Sequence, residues 1–107
     1  MPKINVEFDD KTVTPNQAFD LSEAIQRIVS EATKIKDVFV YTNSAQIKVK
    51  VAPVEIFIEM SAHKINNEDK LMQEIKSKLS RWKKENKFNH PINLTLIPMN
   101  WKLELGI

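Results

Sequence analysis

Apolar and polar residues alternate from the start of the chain. Over residues 3–8, Ile4, Val6 and Phe8 share one face while Lys3, Asn5 and Glu7 share the other, the pattern of a half-buried strand. Asp9-Asp10-Lys11 breaks the alternation. Thr14-Pro15-Asn16-Gln17 then predicts a helix start, with Thr14 as N-cap, Pro15 at the first helical position and Gln17 closing a capping box. Ala18, Leu21, Ile25, Ile28, Val29, Ala32 and Ile35 recur at steps of three and four and form one apolar stripe through about residue 34.

The second strand is predicted over residues 38–42, β-branched and aromatic, with a turn at Asn43-Ser44. Ile47, Val49 and Val51 alternate with Lys48 and Lys50, which predicts an exposed edge strand ending at Pro53. Val54, Ile56, Ile58 and Met60 alternate with Glu55, Phe57, Glu59 and Ser61 in a further strand. Asn66 or Asn67 caps a second helix that turns Leu71, Met72, Ile75, Leu79 and Trp82 inward. A last strand spans residues 92–97, closed by Pro98, and the tail carries Trp101, Leu103 and Leu105. The chain thus runs strand-helix-strand twice, over residues 3–51 and 54–97. Helices of about twenty residues are long enough to return the chain for parallel pairing. Their single apolar stripes place both on one face of a sheet. The expected fold is α+β, a single domain over residues 1–107, in which two pseudo-symmetric β-α-β units form a four-stranded mixed sheet.

Composition narrows the chemistry. A chain of 107 residues with 42% hydrophobic and 28% charged residues buries a core without staples. It has no cysteine, so disulfides, thiolate metal sites and cysteine nucleophiles are excluded. Its single glycine, Gly106, excludes the glycine-rich phosphate loops. His63 and His90 lie far apart with no ligand spacing, so no metal and no cofactor is expected. Glu55 and Glu59 sit about 13 Å apart along a strand, too far for a glycosidase pair. No apolar run reaches the roughly 18 residues of a membrane span, and the N-terminus lacks the apolar stretch of a signal peptide. A cytoplasmic protein without membrane contact is expected. Sixteen basic against fourteen acidic residues leave only +2. The densest basic run, Lys76 to Lys87, falls at a helix end where cations complement the dipole. It reads as a solvated face, with no nucleic-acid partner expected.

Three segments carry a resemblance: Met1-Pro2-Lys3-Ile4-Asn5-Val6-Glu7-Phe8, the run from Val54 to Ser61, and Leu94-Thr95-Leu96-Ile97-Pro98-Met99-Asn100. With the doubled strand-helix-strand order, the chain resembles the tautomerase superfamily. That group includes 4-oxalocrotonate tautomerase and macrophage migration inhibitory factor, and the nearest likeness is to a bacterial tautomerase-like branch of unknown function. The resemblance implies that removal of Met1 exposes the secondary amine of Pro2 as a general base for keto–enol tautomerisation of a small-molecule keto or enol ligand. It also implies a homotrimer in which the final strand or tail of an adjacent subunit completes each site.

The chain departs from the family at the arginines that hold carboxylates. Arg27 falls mid-helix and Arg81 late in the second helix. Where an isomerase of the family has an arginine at the end of the middle strand, this chain has Ser61. Lys36, or Lys34, occupies the stretch in which the cytokine-like member has a lysine after its first helix. His63 and Lys64 follow the strand end expected beside Pro2, and Trp101 stands where it caps a pocket or packs on a neighbouring subunit. The substrate-binding candidates are therefore Lys36, Ser61, His63, Lys64 and Trp101. A catalytically silent assembly or ligand-binding protein with the same fold is the alternative.

Overall fold

The computed structural model describes residues 1–107. Four strands and two helices follow the order β1 (Lys3–Phe8), α1 (Pro15–Thr33), β2 (Phe39–Asn43), β3 (Val54–Ser61), α2 (Glu68–Glu85) and β4 (Asn93–Met99), with a short 3-10 turn at Ala62–Lys64. The sheet order is β2-β1-β3-β4. β1 pairs parallel with β2 and β3 parallel with β4, while β1 and β3 meet antiparallel at the centre, Val6 opposite Ile56 and Lys3 opposite Glu59. Two β-α-β units are thus joined about their inner strands, as the sequence pattern predicts.

The pleat sorts the side chains. Ile4, Val6, Val54, Ile56 and Ile58 point to one face and meet Leu21, Ile25, Ile28 and Val29 of α1 and Ile75 and Leu79 of α2 in one core cluster. Burying such side chains contributes roughly 1.5–3 kcal/mol each. α1 begins as expected: the Gln17 backbone N–H donates to Thr14 Oγ1 at 3.1 Å and the Thr14 N–H to Gln17 Oε1 at 2.9 Å. α2 starts at Asn67, whose side chain accepts from the Lys70 N–H at 3.0 Å. Beyond its end, Phe88 is buried with its ring centroid 5.5 Å from that of Trp82 and 5.1 Å from that of His90, so His90 serves packing.

Two expectations are corrected. Residues 47–51 form no strand; Ile47 is 89% and Val49 101% exposed. No backbone–backbone hydrogen bond involves residues 44–52, although both outer strands of the sheet, β2 and β4, keep a free edge. The segment is instead held by Lys48, whose Nζ lies 3.2 Å from Asp9 Oδ1 and also contacts Asp10 Oδ1. The second correction is that β4 continues through Pro98 to Met99. β4 is an edge strand, where the missing N–H of proline costs the sheet nothing on its solvent side.

Candidate functional site

Strand polarity gathers the candidate residues. β1 and β2 start, and β3 and β4 finish, at the same end of the sheet. Pro2 therefore shares that end with the α1–β2 connection carrying Lys36, with Ser61, His63 and Lys64 after β3, and with Trp101 after β4. Pro2 enters the central strand and is fully buried. Its carbonyl accepts the Phe39 N–H at 3.1 Å, which fixes the first residue of β1 against β2. While Met1 is attached, the Pro2 nitrogen is an amide without basicity; as a chain terminus it is a secondary amine.

The other candidates surround this end from separate elements. Ser61 is half-buried, opposite Met99 in the β3–β4 register, and its hydroxyl makes no cap bond to the turn it precedes. His63 and Lys64 are exposed on the 3-10 turn, and Lys36 is exposed in the tight bend where its carbonyl accepts the Val38 N–H at 2.9 Å. Trp101 is 36% exposed just beyond β4. Lys64 and Lys34 line a cleft of about 330 Å³ between the end of α1 and the start of α2, together with Lys70 and Asn67. Pro2, Lys36, Ser61, His63 and Trp101 are not among its lining residues. The chain thus brings the candidates to one pole, on different segments and in no common cleft.

Lys34, which no periodic pattern marks, stands at the end of α1 on the rim of this cleft. It caps α1 in the left-handed conformation, φ 61° and ψ 26°, where glycine is the usual choice. A lysine there presents an ammonium group at the rim of the cleft at a cost in backbone strain. The two arginines lie elsewhere: Arg27 lines a depression on α1 with Ser22 and Glu23, and Arg81 sits on the outer surface of α2. The cations at the Pro2 end are lysines.

The sheet face opposite the helices is mixed rather than uniformly polar. Its rows read Phe39, Lys3, Glu59, Ile97, then Tyr41, Asn5, Phe57, Thr95, then Asn43, Glu7, Glu55, Asn93. Phe39 is 44% and Tyr41 52% exposed, and the Lys3 ammonium lies 5.5 Å from the Tyr41 ring centroid. No helix is long and apolar enough to cross a membrane.

No protein-family model matches the sequence, and no curated protein matches it. Solved structures do match in shape. A fused 4-OT described as an asymmetric trimer superposes with a TM-score of 0.67 at 10% identity, covering 94% of this chain and 91% of its own. A domain of unknown function from Sebaldella termitidis gives 0.65 at 11% identity, over 100% of this chain and 98% of the other. The macrophage migration inhibitory factor of Toxoplasma gondii gives 0.62 at 19% identity, over 97% of both chains. The chain has the tautomerase/MIF-like fold.

Proposed function

We propose that this protein belongs to the tautomerase superfamily and acts, once Met1 is removed, as a cofactor-independent keto–enol tautomerase with the Pro2 amine as general base. The observation that supports it most is the position of Pro2. It stands buried just before β1, at the end of the sheet that Lys36, Ser61, His63, Lys64 and Trp101 reach from separate segments. An α-amino group titrates near 7.7–8.0, and burial such as that of Pro2 favours the neutral form. A neutral amine takes the proton α to a carbonyl and delivers it to the enolate oxygen, and in the reverse direction takes the enol O–H proton and delivers it to the α-carbon. Lys36, Lys64, Ser61 or His63 then holds the oxygen on which negative charge develops. Lysines hold such an oxygen as point charges, without the two-pronged grip of arginine on a carboxylate. The substrate class is accordingly a small α-keto or enol compound with one carbonyl to polarise rather than a dicarboxylate.

The site is proposed to be shared in a homotrimer. Residues 47–51 offer an unpaired, alternating, β-branched edge, and the open face exposes aromatic rings. Cyclic closure covers both and lets Trp101 of the tail reach the Pro2 end of an adjacent subunit. The activity test is a panel of phenylpyruvate-type and enol-ketone compounds, run on protein whose mass shows that it starts at Pro2. We expect turnover that falls at least a hundredfold in Pro2→Ala. Turnover unchanged by that substitution removes Pro2 as the base. No turnover by the processed protein favours the silent, ligand-binding reading.

A further inference from the structure

The outer surface of α2 stands apart from the site just described. Residues 76–87 hold six cations, Lys76, Lys78, Arg81, Lys83, Lys84 and Lys87, against the single Glu85. That +5 exceeds the +2 of the whole chain, so the other 95 residues together carry −3. The sequence reads this run as a solvated helix end. In three dimensions it is more organised. Of the six, only Lys78 is engaged in ion pairs, with Glu74 at 3.4 Å and Glu31 of α1 at 3.8 Å. Gln73, Lys76, Ser77, Ser80, Arg81 and Lys84 line one shallow cleft of about 410 Å³ that contains no carboxylate and no apolar side chain. These positions lie opposite the buried stripe of Ile75 and Leu79. They run about 16 Å along the axis at 1.5 Å per residue.

We propose that this stripe is a docking surface for the phosphate backbone of a nucleic acid, bound without base readout. A cluster of unpaired cations, Lys76, Arg81 and Lys84, on one cleft complements a polyanion. The intervening Ser77, Ser80 and Gln73 are the neutral side chains that donate to phosphate oxygens. A lipid surface fits less well, because membrane-lying helices insert apolar side chains and those of α2 are committed to the core. The residues used here are separate from Pro2 and its neighbours, so the binding is independent of the proposed tautomerase activity.

The test is fluorescence anisotropy with a labelled 20-base-pair DNA duplex, its RNA counterpart and phosphatidylserine vesicles, at 50 to 200 mM salt. With three phosphates engaged by Lys76, Arg81 and Lys84, log K should fall against log salt with a slope of about −3. Arg81→Gln with Lys84→Gln should weaken binding at least tenfold and reduce the slope to about −1. The control pair Lys11→Gln with Lys50→Gln, exposed on other segments, should leave both unchanged. No duplex binding at 50 mM salt overturns the proposal. So does binding that the Arg81/Lys84 pair leaves unaltered, or binding to vesicles alone.

Discussion

Individual residues show where local rules yield to other demands. Thr14 and Gln17 follow the capping rule, and both reciprocal bonds form. Lys34 does not follow the corresponding rule at the other end of α1, since it occupies a left-handed position without the freedom of glycine. Lys34→Gly should therefore stabilise the fold by about 0.5–1 kcal/mol, the relief of strain being partly offset by a more flexible unfolded chain. Urea denaturation followed by circular dichroism measures it; an unchanged or lower midpoint contradicts the strain. If Lys34 also steadies an anionic group at the cleft, the same variant gains stability while losing turnover.

At the scale of elements, the strands and helices that carry a periodic pattern were legible, and so was their arrangement. Alternation in β1 and β3 marks the core face, because a one-residue slip would turn Ile4, Val6, Ile56 and Ile58 to solvent. Residues 47–51 carry an equally clean alternation and yet form no strand here. Pattern reports which side chains want burial or pairing; a strand also needs backbone pairing, and residues 47–51 join neither free edge of the sheet, β2 or β4. The Lys48 anchor was not legible, since nothing local relates Lys48 to Asp9 and Asp10 almost forty positions earlier. For Asp9 the Lys11 N–H and then Lys48 hold the carboxyl below its ordinary 3.8, and for Asp10 the bond from Lys48 does so. Lys48 is raised above 10.5, chiefly by Asp10. The depressed aspartates contribute stability that is present above 3.8 and lost as pH falls through their folded values. The raised lysine contributes stability that is present below 10.5 and lost as pH rises beyond it. Lys48→Met should thus be less stable than wild type between about pH 5 and 10, with the difference shrinking below pH 4 and above pH 10.5. Equilibrium unfolding across that range tests it, and a difference independent of pH contradicts the ion pairs as its cause.

For the whole molecule, the sheet topology explains why distant sequence positions share one pole. Parallel outer pairs and an antiparallel centre put the beginning of the chain beside the ends of β3 and β4. Pro2, Ser61 and His63 were singled out from the resemblance and Trp101 from its place beyond Pro98, and the topology brings all four to one end of the sheet without gathering them into one cleft. Exposed Phe39, Tyr41, Ile47 and Val49, with the extended tail after β4, are what a trimer would cover. Light scattering should give a mass of about three times 12.4 kDa, constant on dilution through the micromolar range. A concentration-independent mass of one subunit contradicts both the trimer and the shared site.

To act as the base, Pro2 must present a neutral amine at neutral pH, and its protonation is directly observable. Protein labelled with 15N-proline, and shown by mass to lack Met1, can be titrated by nuclear magnetic resonance through the Pro2 nitrogen signal. The expected midpoint lies below the ordinary α-amino range of about 7.7–8.0, lowered by burial of Pro2. A midpoint within or above that range would leave the amine largely protonated at pH 7 and contradict its role as the base.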